Sequence, residues 1–259
     1  MTAEPLAVAL SRLEEELASG EIELPTFKDA EIAAVTPLVP TEDRRIPLPA
    51  VDGLDETELE KAIEAARESL VERGFLREEE PEEPVDELAL ILEFRSSPNT
   101  IVVVDHMSQE GDDYVFYLYG IGSVGYLCEA TEGDKHKFTV RSISAVADML
   151  VDVIDPNSQA GVVDGPEFER RGEVEPPSWE KVEEAAQTTH TITRLFSSLK
   201  TAPDTVENAV VLFAAGEDGV WGYSSYADGG ELTIYACSLS RESVRVAIGD
   251  FLGEETQEE

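Results

Sequence analysis

KHKFTVRSISAVADMLVDVI, residues 135–154, and ELTIYACSLSRESVRVAIGDFL, residues 231–252, can be laid over one another. In each, a β-rich run passes through Ser-apolar-Ser into a helical pattern, at Ser142-Ile143-Ser144 and at Ser238-Leu239-Ser240. The second serine of each junction, Ser144 or Ser240, is expected as the helix N-cap, its hydroxyl accepting a backbone N–H of the first turn. One unit written twice predicts an internal duplication. The fold class expected is α+β: two quasi-equivalent lobes, each an antiparallel sheet with helices packed on it, arranged about a pseudo-two-fold axis.

Ahead of the first junction, IVVVDHM, DYVFYLYG, VGYLCEA and HKFTVRS are four β-rich runs separated by turn residues, which reads as an antiparallel meander. Ahead of the second, NAVVLFAAG, VWGYSSYA and ELTIYAC are strands with GEDG and DGG as turns. A long helix is expected before them, because Trp179, Val182, Ala186, Thr189, Ile192, Phe196 and Leu199 keep one face at helical spacing. Further upstream, Leu6, Leu10, Leu13 and Leu17 predict a short amphipathic helix over 5–18, and five prolines between 21 and 51 predict an extended wrapping segment. Asp55 is expected to cap a helix carrying Leu59, Ile63, Ala66 and Leu70 to its end at Gly74. After the charged break REEEPEEP, Val85, Leu88 and Leu92 mark another helix. The division expected is an N-terminal helix and Pro-rich segment over 1–51, a first α+β lobe over 52–155, a linker over 156–177, a second lobe over 178–253 and a tail over 254–259.

The net charge is −37 over 259 residues, with 42% hydrophobic residues. Such a chain can bury full cores, but its surface repels nucleic acid phosphates, which require a basic patch to displace counterions. Docking on anionic membranes is disfavoured for the same reason, and no apolar run approaches the ~20 residues that span a bilayer. The N-terminus is acidic and lacks the basic start of a signal peptide, so a cytoplasmic protein is expected. The acidity itself is compatible with solubility and salt tolerance, with a surface for a basic partner, or with imitation of nucleic acid.

No constellation of catalytic residues emerges. Asp105 and His106 are adjacent on a strand, where alternation sends them to opposite faces. His136 lies between two lysines in what reads as a solvated turn, and His190 falls in the expected long helix. GIGSVG, residues 120–125, matches a dinucleotide fingerprint but leads into another strand rather than a helix, so it reads as a hairpin of glycines. Gly111-Asp112-Asp113 and Gly216-Glu217-Asp218-Gly219 lack the alternating oxygen ligands of a calcium loop and read as turns. Cys128 and Cys237 fall in apolar strands, as buried reduced thiols, without a CxxC. No catalytic, cofactor-binding or metal-ligating residues are therefore assigned, and no cofactor is expected. Recognition remains: alternation puts Tyr114 with Phe116 on one face and Tyr117 with Tyr119 on the other. Tyr126, Trp221, Tyr223, Tyr226 and Tyr235 add aromatic character that an uncovered sheet face would offer to a partner.

RIPLP (45–49), AARESLVERGF (65–75), ILEFRSSPNTIVVV (91–104) and the strand-to-helix passage 231–252 resemble, in that order, the EspG family of cytosolic type VII (ESX) secretion substrate chaperones. The resemblance runs from Arg45 to Leu252 and implies two quasi-equivalent α+β lobes with antiparallel sheets. It also implies a non-catalytic role: binding a helical secretion substrate, typically the apolar tip of a PE–PPE pair, keeping it soluble and delivering it to the secretion machine. The family has no motif that fixes contact residues, so partner-binding residues and oligomeric state stay open. Two rivals stand beside it: an acidic nucleic-acid mimic or inhibitor of a basic partner, and a salt-adapted enzyme.

Overall fold

A computed structural model of the chain describes residues 17, 20–36, 48–78, 80–84, 86–96, 98, 100–121, 125–172, 176–202, 205–228 and 231–254. Of the helix expected over 5–18 only Leu17 falls among them, in a helical conformation. Residues 255–259 of the expected tail lie outside the described residues.

The segment 20–36 carries the short strands β1 (Ile22–Glu23) and β2 (Phe27–Lys28) and the helix α1 (Asp29–Val35). It is followed by α2 (Pro49–Asp52) and α3 (Glu56–Glu72). The prolines thus bracket regular pieces instead of excluding them. Asp55 caps α3 as expected, accepting the Glu58 N–H at 2.9 Å while Glu58 returns a bond to the Asp55 N–H. Past the end of α3, Gly74 takes the left-handed conformation at φ +81°. The charged break is a two-stranded ribbon, β3 (Leu76–Arg77) with β4 (Glu80–Pro84), and α4 (Asp86–Ser96) follows.

The expected meander is present as β5 (Thr100–Ser108), β6 (Tyr114–Ile121), β7 (Gly125–Glu132) and β8 (Lys135–Arg141), each antiparallel to the next. Helix α5 (Ile143–Ile154) closes it. Its cap is Ser142, not Ser144: the Ser142 hydroxyl accepts the Ala145 N–H at 3.2 Å. Starting there sets Val146, Ala147, Leu150, Val151 and Ile154 into the core as one stripe. In the second half Ser240 caps as expected, accepting from Ser243 N.

The second half departs from expectation at its start. A 3-10 turn (Pro177–Trp179) leads into α6 (Glu180–Gln187), which stops after eight residues, and the rest of the expected helix is the strand β10 (Thr189–Ala202). The run THTITRLF satisfies both periods on paper. Its β-branched residues favour the pleated backbone, and strands on both sides take up its hydrogen bonds. Strands β11 (Thr205–Gly216), β12 (Gly219–Asp228) and β13 (Glu231–Leu239) and the helix α7 (Arg241–Leu252) complete the half. The segment between the halves also joins the sheet, because β9 (Glu167–Arg171) pairs with β13.

The fold is α+β, and its two meanders share one topology: four consecutive antiparallel strands, a serine cap and a helix. They are fused edge to edge, because β5 and β10 pair antiparallel from Thr191↔Ser108 to Leu199↔Thr100. One sheet results, in the order β1-β8-β7-β6-β5-β10-β11-β12-β13-β9, with β2 also on β8. On one face α5 and α7 pack over both halves, burying Val102, Val104 and Leu118 together with Leu195, Phe213 and Val220. Arg241 and Arg245 of α7 fasten the two helices by bonds to Asp152 and Asp148, each at 2.5 Å. On the other face the first half is covered by 20–36 and α2–α4, around Phe27, Ile32, Leu70, Ile91, Leu127 and Phe138. Among the described residues, the second half has the 3-10 turn and α6 there, over Phe168, Trp221 and Ala236.

A shared sheet and a shared core predict one cooperative unfolding transition. Leu127 lies in the first half's own core, fully buried, and its truncation to Ala is expected to cost about 2–5 kcal/mol. Both tryptophans, Trp179 and Trp221, are in the second half. Leu127→Ala is expected to lower the denaturant midpoint read by their fluorescence; an unshifted midpoint would show independent halves.

Candidate docking face

Between the helical layer of the first half and α6, no described residue covers the centre of the sheet. Register decides which side chains stand there. Val103 opposes Phe196, Phe196 opposes Val210, and Leu212 opposes Tyr223, so all five point to the α4/α6 face. Met107 and Ile192 oppose one another on the same face, and Val115 opposes Asp105. The exposed large apolar side chains Met107, Val115, Phe196, Val210 and Leu232 gather here, with Val210 and Leu232 about half exposed at 47% and 48%.

Two hollows adjoin. One, of about 420 Å³, is lined by Val103, Val115, Phe196 and Val210 with the ion pair Arg194–Asp105. The other, of about 520 Å³, is lined by Val182 and Ala186 of α6 and by Ile192, Val210, Leu212 and Ile234. Val210 borders both, making one mainly apolar groove that carries the Arg194–Asp105 pair in one part and Glu183 of α6 at the edge of the other. Water held against such a surface is released on docking, at about 25 cal/mol for each Å² covered.

The sequence located this face only in part. Tyr114 and Phe116 do share the α5/α7 face, where their rings stack at 6.1 Å, and Tyr117 and Tyr119 do share the other. Yet Tyr117 and Tyr119 are buried beneath helices, and Tyr126 is buried with its hydroxyl bonded to the Leu252 carbonyl. The uncovered surface is aliphatic and Phe196, with Tyr223 at its border. The error over β10 hid it, because Phe196 and Ile192 looked like helix core.

The residues weighed for chemistry are placed apart. Asp105 and His106 point to opposite faces as alternation requires. His106 Nδ1 lies 2.9 Å from Thr193 Oγ1, its ring stacks on Tyr114, and burial pulls its pKa down. It lines a hollow of about 570 Å³ with Asp148 and Asp152, carboxylates already bonded to the α7 arginines. His190 is exposed at the start of β10, not in a helix. Residues 122–124 of GIGSVG lie outside the described residues, but Ile121 pairs with Gly125 across a hairpin. Gly125 is required because a Cβ there would stand 2.0 Å from the Arg141 carbonyl oxygen. The Cys128 thiol is pushed up to about 12 by burial, and Cys237 is raised for the same reason. Among the described residues, no group of three or more His, Cys, Asp or Glu is placed to hold a metal.

His136 is not in a solvated turn. It is 1% exposed on β8, and its ring bridges Glu129 Oε1 and Asp29 Oδ1, each at 2.6 Å. Arg95 of α4 and the Tyr119 hydroxyl both donate to Glu129 Oε2. Alternation in KHKFTVR carried the signal, since outward lysines at 135 and 137 place His136 inward with Phe138 and Val140. Burial pushes the Glu129 carboxyl up, but the His136 hydrogen bond and the Arg95 charge outweigh it and hold it below the usual carboxylate range. A depressed folded value contributes stability that is present above the ordinary glutamate range and lost as pH falls through the lowered value. Glu129→Gln is expected to cost about 3–5 kcal/mol at neutral pH, by leaving the buried Arg95 guanidinium without a counter-charge. It is also expected to flatten the acid limb of a plot of stability against pH, measured by urea unfolding.

No family model and no curated protein sequence matches the chain. Among solved structures, that of the Mycobacterium tuberculosis type VII secretion system chaperone EspG5 in complex with a PE25–PPE41 dimer is similar. The TM-score is 0.55 at 11% identity, over 92% of this chain and 98% of that chain. At that identity the likeness is one of fold, and it extends over both meanders and the helices on them. The chain therefore shares the fold of a type VII secretion chaperone.

Proposed function

We propose that the chain is a non-catalytic chaperone that binds a helical protein on the bare centre of its sheet, keeps it soluble and hands it to a secretion machine. The partner fitting both the fold and the sequence resemblance is a PE–PPE-like type VII (ESX) substrate, met in the cytoplasm. The observation that carries this reading is the apolar groove, walled by helical layers and left open where the two halves meet.

The pseudo-symmetry supports a helix as occupant. In the first half the chain's own helices α1, α3 and α4 lie on this face; among the described residues the second half brings the 3-10 turn and the eight residues of α6. Ground that a helix covers on one side of the axis carries no described helix on the other. The charge fits as well. Surplus carboxylates keep a complex soluble while an apolar partner surface is sequestered, and they repel nucleic acid. No described helix is long and apolar enough to cross a membrane.

Co-expression with a PE–PPE pair tests the proposal. The native chain is expected to co-purify with the pair as a soluble complex. Phe196→Thr with Val210→Thr, both on the exposed face and both keeping a strand-forming residue, is expected to lower the melting temperature by no more than about 5 °C while weakening binding at least 10-fold. Titration calorimetry with the purified pair reads that loss. Binding unchanged by the double substitution removes the groove from the mechanism. Recovery of a DNA-binding protein in place of the pair points to an acidic mimic, and turnover points to an enzyme.

A further inference from the structure

Asp29, His136 and Glu129 stand in a row, carboxylate, imidazole, carboxylate, with both ring contacts at 2.6 Å and each side chain at most 1% exposed. An ionised carboxylate only accepts hydrogen bonds, so both contacts are bonds only while both ring nitrogens carry hydrogen. With a neutral ring, one nitrogen lone pair faces a carboxylate lone pair where water does not reach, and a buried carboxylate loses its partner. We propose that this row is a proton-requiring latch, which fastens the N-terminal strap, residues 20–36, to the first half of the sheet.

The strap's other attachments show what the latch holds. Ile22 and Glu23 pair with Val140 and Thr139, Phe27 and Lys28 pair with His136 and Lys135, and Phe27 and Ile32 are fully buried. The remaining ionisable and charged groups around the ring are engaged elsewhere. From α1, Glu31 is bonded to Arg73 and Ser69. From α4, Arg95 sits on the second oxygen of Glu129, with Tyr119 of β6; Tyr117 of the same strand is close enough to feel the Glu129 charge. From α2, the Ala50 N–H is on the second oxygen of Asp29 at 2.7 Å. Lys135 and Lys137, beside His136 on β8, are exposed. The ring proton is thus the link between strap and sheet at this point, and Arg95 carries the cluster into α4.

Closing the latch takes up one proton wherever the released ring carries a single hydrogen, because the row holds two ring-to-carboxylate hydrogen bonds. The closed state then holds more protons than the open one, so its stability falls as pH rises. The opening constant grows by at most about tenfold per pH unit. This device does not depend on which partner the groove takes.

Amide hydrogen exchange of the full chain from pH 6 to 9, corrected for intrinsic base catalysis, tests it. Residues 22–36 are expected to open progressively more at higher pH, while β12 and β13 stay level as an internal reference. The ring nitrogens of His136 are expected to be both hydrogen-bearing by 15N NMR while the strap is protected. Asp29→Asn supplies an amide that donates to a neutral ring, so its strap is expected to stay closed with a flat pH profile; Glu129→Gln is the second variant, read the same way. Equal pH slopes for strap and reference, a singly protonated ring in the closed strap, or an undiminished slope in both variants overturns the latch.

Discussion

The antiparallel pairing of β5 with β10 is the constraint on which the rest of the molecule depends. Along Thr100–Ser108 and Thr191–Leu199 the edge strand of each meander becomes an interior strand of one sheet. An exposed edge presents unpaired N–H and C=O groups and invites aggregation, so pairing two such edges removes that hazard from both halves at once. It also aligns Val102 and Val104 with Leu195 so that one core, under α5 and α7, serves both halves. The serine-capped helices then meet as an antiparallel pair, held by arginines of α7 on aspartates of α5.

The same pairing creates the bare face. A sheet this wide needs helices on both sides to be fully buried, and the chain supplies a full layer on one side only. On the other, the strap and α2–α4 spread over β6, β7 and β8, and α6 sits over β12 and β13. What stays open is the seam. The result is a groove between helical walls, in a molecule whose remaining surface is dominated by carboxylates. Burying an apolar partner there and staying soluble are compatible because the two jobs fall to different surfaces.

The ionic cluster beneath α1 and α4 obeys different physics. Charges out of water are costly unless each is met, and here Asp29, Glu129, His136 and Arg95 meet one another with Tyr119 and a backbone N–H, although Arg95 Nη2 is buried without a hydrogen-bond partner among the described residues. Such a cluster contributes little to stability relative to apolar packing, but it fixes one register for the strap against β8. A shift of the strap by one residue would turn Phe27 away from the core and carry Asp29 off the His136 ring.

By itself the sequence determined the α+β class, the four strands ahead of the first junction, the three ahead of the second, and the Asp55 cap. These are set by local period and local chemistry, which act over a few residues. It also determined that Asp105 and His106 do not meet, since alternation is a property of any strand. Tertiary structure alone decided that residues 189–202 are a strand, because Thr189, Ile192, Phe196 and Leu199 keep a helical face while Thr191, Thr193 and Leu195 alternate as in a strand, and only the neighbours β5 and β11 break the tie. With that strand came the fused sheet, the open groove, and the bond from the Tyr126 hydroxyl to the Leu252 carbonyl of the other half. The cap at Ser142 and the partners of His136 were decided the same way, by side chains brought from more than a hundred residues away or by a core stripe that local pattern left free to slide.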